Sequence, residues 1–170
     1  FLWIPTSLLL PLLYHGTIST DAIGLNLHSD LATLLVLGGL ALLALVLIFS
    51  LKKVAHNASQ HQEVRNKFEY IQWLMPRTKK EAQYFIGAVS VSAGICEELL
   101  FRGYLLTLIT DYSSAPIALV VTSLAFGLPH IYQGLPHVLR TAIFGLIMAL
   151  ITLLTDSLIA AILLHIMIDA

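Results

Sequence analysis

Between Asp30 and Lys52 the chain carries no charged residue, and Leu31 to Leu51 is apolar almost throughout. About 20 such residues wound as a helix span the hydrocarbon core of a bilayer. That stretch makes the chain a membrane protein. Composition agrees, since 11% of the residues are charged and 58% are hydrophobic, where a soluble domain carries roughly 25% charged residues. A net charge of −1 gives neither an acidic nor a basic signature, so nucleic acid is not an expected partner. The lone Cys96 excludes an internal disulfide. The first fourteen residues begin at Phe1 and are apolar without a basic leader or a small-residue cleavage site. They read as a membrane helix cut short rather than a signal peptide, and the chain as a trimmed piece that ends abruptly at Ala170.

The expected fold class is all-α: one polytopic helical membrane domain over residues 1–170, with about six membrane segments, the first truncated. Lys52, Lys53, Arg65, Lys67, Arg77, Lys79 and Lys80 are seven of the nine Lys and Arg residues, and all fall in residues 52–81. By the positive-inside rule this polar loop is cytoplasmic. Residues 82–170 form the core beyond it. Thr78 with Glu81 matches a capping box, so a helix starts there and runs to about Tyr112. At about 1.5 Å per residue that helix exceeds a bilayer core, which predicts an interfacial first turn, a tilt, or a break near Gly87 or Gly94. Asp111 to Pro116 reads as a turn, Ala115 to His130 as a crossing, Ile131 to Arg140 as a return loop and Thr141 to Thr155 as another crossing. Asp156 with Ser157 is suited to cap a last helix, Leu158 to Ala170.

Ionisable residues in a membrane helix cost about 2.5 to 3.5 kcal/mol on insertion scales and normally face a cavity. Outside the loops they are Glu97, Glu98, Arg102, His130, His165 and Asp169. Glu98 and Arg102 stand one turn apart and can pair, while Glu97 points about 100 degrees away. One carboxylate is neutralised and its neighbour left free, which is how a site separates a base from a structural anion. A structural lock between helices is the plainer reading of the same charges. His130 follows Pro129, where the backbone is loosened, although a lone membrane histidine often only bonds a neighbouring helix. His165 and Asp169 are again one turn apart, so the carboxylate can orient the ring, or simply cap a chain end. Counted from the non-cytoplasmic turns, Glu98 and His130 lie roughly 21 Å deep, Asp169 about 18 Å and His165 about 12 Å. Three helices thus deliver polar groups to nearly one level, in the cytoplasmic half of the membrane.

The motifs EELLFR at 97–102, FGLPH at 126–130 and HIMID at 165–169 resemble those of the CAAX protease and bacteriocin-processing family, also called the Abi family of intramembrane endopeptidases. The resemblance covers Glu97 to Asp169. It implies a membrane peptidase without a cofactor, acting on a peptide or protein substrate that is prenylated in a eukaryotic source and a leader peptide or bacteriocin-related protein in a prokaryotic one; the compact chain favours a prokaryotic cell membrane. Carried onto this chain, Glu97 is the general base and His130 its partner on the water. His165 then donates to the developing oxyanion, and Glu98 with Arg102 holds the first carboxylate in place. The departure is Asp169, where many members have Asn. An ionised Asp only accepts hydrogen bonds, so it is protonated, or orients His165, or supports a cation.

Two further readings stay open. Zinc held by Glu97, His130 and His165 with water in the open position gives a metalloprotease, although the two-histidine spacing of a zincin helix is missing. A proton-coupled carrier or a membrane scaffold uses the same buried acids without catalysis, but the chain shows no inverted repeat. Cys96 as a nucleophile ranks below these, because a small thiol among apolar residues is most often packing. His56, His61, His137, Arg140 and the Asn57–Ser59 sequon read as surface groups. Oligomeric state leaves no trace in the sequence.

Overall fold

The computed structural model describes residues 6, 7, 11, 15, 21, 23–57, 59, 62, 63, 66 and 76–170. Among them the ordered elements are all helical. Helix α1 is Leu31–Ala55. Helix α2 runs from Lys79 to Tyr112, α3 is Ala115–Gly127 continued by a 3₁₀ segment Leu128–Gln133, α4 is Leu135–Thr155 and α5 is Ile159–Asp169. The first four are long and apolar enough to cross a bilayer, while α5 is a shorter apolar helix. The count of six segments is therefore not reproduced: among the described residues four helices qualify, α5 falls short, and the truncated first segment lies mostly outside them. Residues 58, 60, 61, 64, 65 and 67–75 of the polar loop, His61 among them, also lie outside. The chain is an integral membrane protein. A helix satisfies its backbone amides internally, as hydrocarbon demands.

Each helix start follows from local chemistry. The Asp30 side chain accepts from the Thr33 amide at 2.7 Å to begin α1. Thr78 accepts from Glu81 N at 3.1 Å while Glu81 reaches back to Arg77 N at 2.8 Å, so the capping-box expectation for α2 holds. Ser157 Oγ accepts from Ile159 N at 3.2 Å ahead of α5. The expected return loop over 131–140 is corrected: α4 begins at Leu135. Gly134 reverses the chain at φ 99°, a conformation only glycine adopts readily. Pro136 then sits in the first helical turn, where its missing N–H costs nothing.

The long helix α2 relieves its excess length through its own winding. Two π-helical stretches interrupt it, Phe85–Ser90, which contains Gly87, and Leu99–Leu106. Wide turns of this type frequently mark functional sites. Gly94, the other expected break, serves a different purpose: a Cβ there would lie 2.6 Å from Ile166 Cγ1, so its absence lets α5 press onto α2. Small residues do the same elsewhere, with Ala118, Ala149, Ala160 and Ala161 fully buried at helix contacts. The main apolar core gathers Leu40, Phe126, Met148 and Leu164 around Ala160 and Ala161, while Ala118 and Ala149 pack with Leu106 in a second cluster.

Candidate functional site

Helix α2 carries Glu97 and Glu98 on the last turn before its second π stretch, and Arg102 lies inside that stretch. Arg102 Nη1 donates to Glu98 Oε1 at 2.8 Å, and Arg102 Nη2 donates to the Gly145 carbonyl of α4 at 2.9 Å. The two side chains are 1% and 0% exposed. A buried pair of this kind needs near-complete satisfaction, because its desolvation cost is several kcal/mol per ion. Part of that satisfaction comes from Phe126, whose ring centroid lies 4.3 Å from the guanidinium carbon.

His165 of α5 completes the layer. Its Nδ1 lies 2.7 Å from the same Glu98 Oε1 and donates to it. Its Nε2 faces two more acids, Asp169 Oδ2 at 3.5 Å and Glu97 Oε2 at 3.8 Å. The Glu98 to His165 contact joins residues that helix counting separates by about 9 Å in depth. The π turns between Glu98 and the end of α2 place more residues in each unit of length, so counting at the α-helical rise overstates how deep Glu98 lies. Side-chain exposure grades across the cluster, from 0% at Glu98 to 7% at His165, 16% at Glu97 and 38% at Asp169. The site therefore opens toward the end of the bundle where α5 finishes.

His130 stands on the 3₁₀ segment just after Pro129, half-buried. It makes no hydrogen bond to the carboxylates. The Phe126 ring links it to them, lying 6.1 Å from the His130 ring and 5.7 Å edge-on from the His165 ring, and Tyr132 stacks on its other side at 6.4 Å. Three buried polar atoms of this site lack a partner among the described residues: His130 Nδ1, Glu98 Oε2 and Arg102 Nε. Among the described residues no three His, Cys, Asp or Glu side chains are placed to hold one metal ion together, so Glu97, His130 and His165 are not gathered as ligands.

All six singled-out residues thus meet at one place, five in a charged cluster and His130 one ring away. Sequence reasoning missed the groups that hold them there. Phe126 contacts Arg102, His165 and His130 at once; the FxxxH spacing points to it, but nothing in the spacing tells that its face covers a guanidinium. Gly145 offers Arg102 a carbonyl, and a Cβ there would lie 3.2 Å from Nη2 and 3.1 Å from Phe126. Ser90 Oγ donates to the Asp169 carbonyl at 3.2 Å and pins the end of α5. Cys96 is 1% exposed, and its carbonyl accepts from Thr6.

Residues 80–170 match the type II CAAX prenyl endopeptidase Rce1-like family. The chain belongs to that family. No curated protein and no solved structure matches it. The matched region begins at the start of α2 and takes in every residue of the cluster. At family level the chain is a CAAX-type intramembrane endopeptidase, which makes peptide or protein substrate and membrane lipid its partners.

Proposed function

We propose that the protein hydrolyses a peptide bond with a water activated by Glu97, at a site open to the cytoplasmic side. The observation that carries this reading is the contrast between the two adjacent glutamates. Glu98 is sealed and spends one oxygen on both Arg102 and His165, whereas Glu97 is partly exposed, with its nearest charged partner beyond hydrogen-bond distance. A general base needs an accessible, uncommitted acceptor of that kind. His165, fixed through Nδ1, presents Nε2 toward the open side as the donor to a developing oxyanion. Asp169 flanks that nitrogen and orients the ring, so an acid in place of the family's amide supports the imidazole instead of donating. His130 partners the water from the Phe126 side. Cationic residues at both ends of the loop 52–81 support the cytoplasmic assignment. A CAAX-type carboxyl-terminal peptide is the substrate class that the family favours, with leader peptides as the second.

The test is Glu97→Gln with peptide cleavage followed in detergent. Turnover is expected to fall by about 10² to 10⁴, the usual worth of a general base, while thermal unfolding stays close to that of the parent. Wild-type turnover in this variant would overturn the reading. Turnover should also be indifferent to chelators; loss restored by zinc would favour the metalloprotease.

A further inference from the structure

A cavity of about 280 Å³ opens at the other end of the bundle, away from Glu97 and Asp169. Asp21, Asp111 and Asp156, all exposed, stand at its mouth, and Thr107, Thr110 and Thr152 line its walls. Each threonine hydroxyl donates to the carbonyl one turn back, Thr107 to Gly103 at 2.9 Å, Thr110 to Leu106 at 2.8 Å and Thr152 to Met148 at 3.0 Å. Their oxygens are therefore left as acceptors. Acceptors and carboxylates make up the polar part of the wall, beside Ile23, Leu106 and Leu153. Arg102, nine residues before Asp111 on α2, lines it from within.

Arg102 supplies a second and independent sign. Its Nη1 and Nη2 are satisfied, but Nε is buried without a partner among the described residues. An unmet N–H on a buried cation costs more than one on a neutral group, and buried waters commonly meet such groups. The cavity holds several waters at about 30 Å³ each.

We propose that this cavity is a water-filled vestibule entering from the face opposite the peptidase site, ending at Arg102, and admitting cations in preference to anions. The Glu98–Arg102–His165 layer then separates two aqueous spaces, one at Glu97 and Asp169 and one at Thr152. The buried ion pair is hydrated from the face that substrate does not use. A substrate that plugs the open side therefore leaves the hydration of Arg102 unchanged.

Thiol accessibility tests this without reading peptide cleavage, so its failure is distinct from failure of the peptidase assignment. In a Cys96→Ser background in nanodiscs, Thr152→Cys is compared with the lipid-facing Leu150→Cys, using a cationic and an anionic methanethiosulfonate. A thiol in hydrocarbon stays protonated and unreactive. Thr152→Cys is expected to react at least about tenfold faster than Leu150→Cys, and the cationic reagent about tenfold faster than the anionic one, as focusing by an acidic cleft predicts. Filling the cavity with Thr110→Leu should slow the reaction to the lipid-facing rate. Asp156→Asn, which keeps volume and tolerates the left-handed backbone at φ 47°, should weaken the charge preference, Asp21 and Asp111 remaining at the mouth. Equal rates at Thr152 and Leu150, or a faster anionic reagent, would overturn the proposal. Should Thr110→Leu fail to fold, the Asp156→Asn ratio decides, and an unchanged preference for the cation would count against it.

Discussion

Helices α1 and α2 are both long enough to cross a bilayer, yet they solve opposite problems. α1 is an uninterrupted α-helix whose Leu35, Leu42 and Phe49 remain more than 60% exposed, and it touches the bundle through Val36, Leu37 and Leu40. Lipid is as apolar as leucine, so a helix like this needs few protein partners. α2 carries three charges in its middle, winds as two π stretches, and recruits α3, α4 and α5 to cover Arg102 and Glu98. The contrast teaches that a charge in the membrane sets the architecture around it, whereas an apolar span merely completes it.

Substitutions sharpen that comparison. Arg102→Leu leaves Glu98 buried without a counter-charge, and removing one partner of a buried pair typically costs about 3 to 5 kcal/mol. The expected result is a steep loss of thermal stability in detergent; a small loss would mean that the layer is not what holds α2. Phe126→Leu keeps an apolar side chain but removes the ring over the guanidinium, at a cost of about 2 kcal/mol for a desolvated cation–π contact. Activity should fall as well, because the same ring abuts His165 and His130. On α1, Leu35→Ala should change stability by about 0.5 kcal/mol or less, as exposed substitutions do. A loss comparable to that of Phe126→Leu would show that α1 is packed against protein in the membrane.

The smallest effect concerns pH. The Thr33 amide holds the Asp30 carboxyl below the usual aspartate range. A lowered folded pKa contributes stability above the unfolded pKa and loses it as pH falls through the folded one. The protection factor of the Thr33 amide against hydrogen exchange should therefore fall only in acid, with neutral pH leaving the first turn of α1 closed. In Asp30→Ala that acid step should vanish.

Short-range signals were legible in the residues alone. The apolar run of α1, the Thr78–Glu81 cap and the one-turn spacing of Glu98 and Arg102 each depend on neighbours within a few positions, and each appears in the structure as read. The return loop was misread because Gly134 and Pro136 look like breakers together, whereas the first reverses the chain and the second opens the next helix. Helix counting set His165 apart from Glu98, and the π turns of α2, whose smaller rise no hydropathy pattern records, account for part of that gap.

What the sequence determined by itself is that buried charges on three helical segments must find partners, since hydrocarbon leaves them no alternative. Which partners they found was decided by tertiary structure alone. Glu98 rather than Glu97 meets both Arg102 and His165, and Phe126 covers the guanidinium, because Gly94 and Gly145 let helices approach where a methyl group would hold them apart. Helical phase, accumulated through wide turns and fixed by close packing, is a property of the assembled bundle.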